Sequence, residues 1–174
     1  MEFRKALIAT AVAAAMSAHL AVAADPIDDA ALTAKVKMAL IANPATKARQ
    51  IDVESRGGTV QLNGFVDSDN SRKEAATVAM GVEGVARVEN NLEVKAGDRT
   101  AGEAIDDASI TGRVKTALLE DPSTKGSSIN IETREGVVQL NGFVDGDIEK
   151  DRAAKLAAAV SGVKSVDNNL TVQK

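Results

Sequence analysis

The stretch Val60-Gln61-Leu62-Asn63-Gly64-Phe65-Val66-Asp67 decides the fold, because it returns unchanged as Val138-Gln139-Leu140-Asn141-Gly142-Phe143-Val144-Asp145, 78 residues later. Carried outward in that register, residues 27–95 align with 105–173 without a gap, and 36 of the 69 pairs are identical. A period of this length is too long for a solenoid unit and marks one small domain duplicated. Each copy is near the lower size at which a single core sustains a fold. Aromatic residues make up only 2 % of the chain, so Val, Leu, Ile and Ala must supply that core, with one Phe per copy.

Each copy opens on a helix. Asp29 is placed to accept the free amide hydrogens of its first turn, and Leu32, Val36, Ala39 and Leu40 form one apolar stripe, repeated as Ile110, Val114, Ala117 and Leu118. Pro44 and Pro122 close it, since proline disfavours helical geometry in the residue before it. Two alternating runs follow, Ile51–Glu54 and Val60–Leu62, joined through Gly57-Gly58 (Glu135-Gly136 in the second copy); this spells an antiparallel hairpin. Gly64 then reads as a bulge or a close backbone approach. A second helix starts in Asp67–Ser71, where Ser71 and Glu74 have capping-box spacing. It buries Ala75, Val78, Ala79 and Val82 and stops at Gly84; Ala153, Leu156, Ala157, Val160 and Gly162 are the matching positions. Val88, Leu92 and Val94, with Val166, Leu170 and Val172, mark a last strand. A strand–helix–strand crossover places that strand parallel to the second. The expected architecture is α+β: two tandem αββαβ units, each a three-stranded mixed sheet with both helices on one face. The intervening residues 96–104 read as a linker spanning on the order of 17 Å if random.

Residues 1–24 belong to neither copy. A basic start at Arg4 and Lys5, the apolar run Ala6–Val22 and small residues before Asp25 have the layout of a cleavable secretory signal peptide. With no Cys near the cleavage position, no lipid anchor is expected. The mature chain then lacks His, Cys, Trp and Tyr, and a disulfide-free exported protein suits the bacterial periplasm.

That inventory narrows function. The net charge of −4 and the missing stacking aromatics argue against nucleic acid as partner. No His base exists for nucleophilic catalysis, and paired carboxylates without a deep cleft make poor glycosidases, so no enzyme activity is expected. Soft and imidazole ligands for transition metals are absent. Asp67-x-Asp69 and Asp145-x-Asp147 open like calcium loops, but Arg72 and Val78, or Lys150 and Leu156, stand where Gly and Glu are needed. Gly57-Gly58 is a turn, not a phosphate loop. No cofactor or metal is expected. What remains are Ile41 and Leu119, about 100° round from the buried stripe, with Met38 beside them in the first copy. Either they pack beneath the loop after the helix, or they touch lipid or a client, with Lys35, Lys37, Arg113 and Lys115 meeting headgroups.

The motifs Asp-Asp-Ala-x-[Ile/Leu]-Thr-x-[Lys/Arg]-Val-Lys (28–37, 106–115), Val-Gln-Leu-x-Gly-Phe-Val (60–66, 138–144) and Gly-Val-x-x-Val-x-Asn-x-Leu (84–92, 162–170) together resemble the BON domain family in both copies. The resemblance implies the αββαβ fold and a periplasmic role in osmotic or envelope stress. It further implies contact with phospholipid surfaces or, alternatively, a chaperone that holds unfolded envelope proteins. It carries over no catalytic residue.

Overall fold

The structure is a computed structural model; it describes residues 26–124 and 126–173. The leader expected over residues 1–24 lies outside the described residues. Domain 1 runs α1 (Pro26–Ala42), β1 (Ile51–Arg56), β2 (Thr59–Val66), α2 (Asp69–Met80) and β3 (Arg87–Val94). Domain 2 repeats the order as α3 (Ala101–Glu120), β4 (Asn130–Arg134), β5 (Val137–Val144), α4 (Asp147–Ala158) and β6 (Ser165–Val172). Each sheet has the order first–second–third strand, the first pair antiparallel and the second parallel, as the periodicity predicts. The final turn of the connecting stretch differs: α3 takes up residues 101–104, so the irregular connection is only 95–100.

Each domain has its own core. Leu32, Val36 and Leu40 of α1 and Ala75 and Ala79 of α2 close on Val53, Val60, Leu62, Val66 and Leu92 of the sheet. Ile110, Val114, Leu118, Ala153 and Ala157 do the same over Val138, Leu140, Val144 and Leu170. Alanine at the α2 and α4 contacts lets helix and sheet backbones approach closely. Both helices thus cover the face presented by even-numbered residues of β2 and β5. Thr46 and Thr124 secure the ends of α1 and α3: their hydroxyls donate to Leu40 O (2.7 Å) and to Leu118 O.

Three local expectations need correction. Asp29 does not cap a helix, because α1 starts at Pro26. Its counterpart Asp107 lies in the second turn of α3, where Thr100 and Glu103 form the capping box instead. There Asp107 accepts the Glu135 and Gly136 amides, each at 3.0 Å, and so ties the helix to the hairpin tip. The cap of α2 is Ser68, whose hydroxyl accepts the Ser71 amide at 3.1 Å; Glu74 is engaged by Asn43 Nδ2 at 2.9 Å. Finally, α2 and α4 end at Met80 and Ala158, before Gly84 and Gly162, so Val82 and Val160 pack on their cores from the following turn.

The hairpin tips turn through two left-handed residues each, Gly57-Gly58 (φ 57°, 76°) and Glu135-Gly136 (φ 55°, 80°). That geometry matches the twist of the flanking strands. Gly64 forms no bulge, since the β1–β2 pairing runs unbroken through Ile51–Gly64. It is a close approach: a Cβ there would collide with the Gln50 carbonyl, and φ is +117°.

Candidate partner-binding surfaces

Odd-numbered residues of β2 and β5 point away from the helices, and the two helix-free faces pack against each other. Gln61, Asn63, Gln139 and Asn141 are fully buried there, and Phe65 and Phe143 nearly so. The layers therefore run helices, sheet, sheet, helices. Buried polar groups are costly unless bonded, and the bonds are reciprocal. Gly142 N–H donates to Gln61 Oε1 at 3.0 Å, and Gly64 N–H donates to Gln139 Oε1 at 3.0 Å. The Gln61 amide group donates to Thr171 Oγ1 (2.7 Å), Glu89 Oε2 (3.1 Å) and Asn169 O (3.3 Å). Gln139 Nε2 reaches Asn91 O at 3.4 Å. Asn63 Oδ1 accepts from Asn91 and Asn141 Oδ1 from Asn169, at 3.0 and 3.2 Å.

Charges frame this face. Asn130 Nδ2 donates to Asp52 Oδ2 (2.9 Å) and to Glu54 Oε1. Thr171 donates to Glu89 at 2.7 Å, Arg56 pairs with Asp145 at 3.8 Å and Lys95 with Glu135 at 3.9 Å. Burial, followed by the charge of Asp52, pushes the Glu54 and Glu132 carboxyls above the usual range. Burial and then a hydrogen bond shared with Asp167 push Glu93 up as well. The connection is stapled to domain 2: Arg134 Nη2 donates to Gly97 O at 2.5 Å, and Arg99 reaches Thr133 O and Asp107, each at 3.4 Å. A cleft of about 400 Å³ opens beside these groups, lined by Arg49, Gln50, Phe65, Asp98, Arg99 and Arg134.

The outer layers carry the residues singled out in the sequence. Ile41 is 72 % exposed and Leu119 57 %, so neither packs beneath the following loop; Met38 is 62 % exposed. Lys35 and Arg113 are exposed, Arg113 with its Nε turned back to Ser109 O at 3.3 Å. Lys37 pairs with Asp52 at 3.6 Å. Lys115 is committed internally: its ammonium donates to Gly126 O (2.5 Å) and Ile129 O (2.8 Å), and burial pushes its pKa down. Ile148, which the sequence reading missed, is 82 % exposed on the first turn of α4. Arg152, one turn further on, bonds Asp121 at 2.6 Å, two residues past Leu119 in sequence. An apolar residue at the second position of an otherwise polar first turn was the available signal.

Among the described residues no cluster of three or more His, Cys, Asp or Glu side chains could hold a metal ion, and no helix is long and apolar enough to cross a membrane. Asp67 is held by Gln50 Nε2 (2.9 Å) and Asp69 by Arg72 and Lys73 (2.6 Å each).

The chain is 42 % identical over 145 residues to osmotically-inducible protein Y of Escherichia coli strain K12, covering 83 % of this chain and 72 % of that one. It is 32 % identical over 157 residues to the outer membrane lipoprotein DolP of Haemophilus influenzae, covering 90 % and 80 %. The family model described as "BON domain" matches residues 28–96 and again 106–174. The chain therefore belongs to the BON domain family, with two copies of the domain in tandem.

Proposed function

We propose that the chain is a non-enzymatic periplasmic protein of the osmotic or envelope stress response that contacts phospholipid surfaces through its outer helices. The observation that carries this reading is the matched exposure of Ile41 and Leu119 at the ends of α1 and α3. Docking of the sheets turns both helices outward, and Lys35 and Arg113 stand on the same helices. Such groups can bury apolar side chains at the headgroup boundary while a cation meets phosphate. Lys115 contributes inside the domain and not to this contact. The relatives support the cellular setting: one is osmotically inducible, another is an outer membrane lipoprotein.

The test is vesicle co-sedimentation with anionic and zwitterionic lipid at two salt concentrations. Ile41→Ser combined with Leu119→Ser weakens binding, and salt weakens it further for anionic vesicles. Unchanged binding by the folded double variant refutes the assigned surface. A second reading, a chaperone for unfolded envelope proteins, draws on the exposed Met38 and Met80, since flexible thioether side chains suit promiscuous contacts. It requires suppression of client aggregation in the absence of lipid.

A further inference from the structure

Residues 60–67 and 138–145 are identical, and the docked sheets use them reciprocally: Gln61 takes the Gly142 amide, and Gln139 takes the Gly64 amide. Contacts of this form, in which each partner offers the same group to the same counterpart, are those of a two-fold dimer interface. The contact inside the chain is thus one that a domain could make with a copy of itself, unless residues around the shared core forbid it.

Those surrounding residues are where the copies diverge. Position 52 of domain 1 corresponds to 130 of domain 2, and they meet each other: Asn130 Nδ2 lies 2.9 Å from Asp52 Oδ2 and also bonds Glu54. Positions 89 and 167 correspond, as do 93 and 171. Thr171 donates to Glu89 at 2.7 Å, whereas the matching contact brings Glu93 against Asp167.

Three pairings can be compared on these positions. Two copies of domain 1 would set Asp52 against Asp52 and Glu54, and Glu89 against Glu93 twice, so carboxylates oppose at every site. The pairing within the chain keeps two such oppositions, Glu93 with Asp167 and Glu132 with Asp52. Two copies of domain 2 would set Asn130 against Asn130 and Glu132, and Asp167 against Thr171 twice; at these positions no carboxylate faces another. The ion pair of Arg56 with Asp145 does not discriminate, since two copies of domain 1 would pair Arg56 with Asp67 and two copies of domain 2 would pair Arg134 with Asp145. Like-charge opposition at a desolvated interface excludes partners, and amide or hydroxyl partners admit them.

The geometry points to the helix-free sheet face of domain 2 as a homodimerisation surface, whose partner is the same face of a second copy of this chain. Domain 1 occupies that face in the closed monomer. A connection of only residues 95–100 gives domain 1 a high effective concentration, so the face becomes available when domain 1 is displaced.

The experiment uses the full-length chain in sedimentation equilibrium. Gln61→Glu with Asn63→Asp places two carboxylates on the domain 1 face, at odd positions pointing away from its own core. This variant forms a dimer as concentration rises. If the substitutions unfold domain 1, the domain 2 face is released all the same and the dimer is still expected. The mirror variant, Gln139→Glu with Asn141→Asp, stays monomeric, because the freed domain 1 faces repel. Adding Asn130→Asp to the first variant raises its dimer dissociation constant at least about tenfold, a change of roughly 1.4 kcal/mol. The proposal is overturned if the first variant remains monomeric up to its solubility limit. It is equally overturned if the mirror variant dimerises as well, or if Asn130→Asp leaves the dimer unchanged.

Discussion

Replacing Gln61 with Ala removes the side chain on which the docked faces most depend. The truncation leaves the Gly142 amide, which Gln61 Oε1 accepts at 3.0 Å, without a partner in a buried place. An orphaned buried donor costs about 1–3 kcal/mol. Three donor contacts from Nε2 also vanish, but Thr171 still donates to Glu89, so only part of their worth is lost, about 0.5–1 kcal/mol net. Removing a buried methylene adds about 0.8 kcal/mol. The expected loss is about 2–5 kcal/mol of the free energy of the docked molecule. In urea unfolding, with a slope of about 2 kcal/mol per molar, the midpoint falls by about 1–2.5 M, and a single transition separates into two as the domains uncouple. Gln139→Ala should behave alike. The reasoning is refuted if Gln61→Ala lies within about 0.5 kcal/mol of the parent, the range of an ordinary surface substitution.

Two further predictions follow from the same face. Gly142→Ala would place a Cβ 2.8 Å from the Ser128 carbonyl at φ +120°; the clash and the backbone conformation together cost about 2–4 kcal/mol, read as a lowered melting temperature. Glu54, Glu93 and Glu132 all have carboxyls pushed up in the docked molecule. Protonation therefore favours docking: it strengthens as pH falls through the raised values toward the ordinary glutamate range, and weakens as pH rises above them. Unfolding midpoints measured from neutral pH downward should rise before general acid denaturation sets in, and Glu93→Thr should shrink that rise.

Much of the domain was legible in the sequence because its signals are local. The stripe Leu32, Val36, Leu40 and the tip Gly57-Gly58 each dictate their element from neighbouring residues alone, and duplication displayed every signal twice. The angular offset of Ile41 and Leu119 set them off the buried stripe but did not decide between packing beneath the loop and exposure, which the structure shows. The docking was harder to see, because Gln61 and Asn63 alternate with Val60 and Leu62 and so read as a solvated face. The physical hint was Phe65, an aromatic on that same polar side, together with Gln61, Asn63 and Asn91 repeated unchanged as Gln139, Asn141 and Asn169. Asp29 misled because an aspartate near a helix start satisfies the capping rule in sequence. Only the tertiary structure shows its counterpart Asp107 reaching across to the hairpin amides.

Amide hydrogen exchange at Gly64 and Gly142 in the unmodified chain tests the docked arrangement most directly, since each of these N–H groups donates to a glutamine of the other domain. Both amides should exchange slowly and with matching protection, and both should speed up together in Gln61→Ala. Rapid exchange at the two glycines, alongside well-protected Val60 and Val138, would contradict the sheet-to-sheet packing on which this account stands.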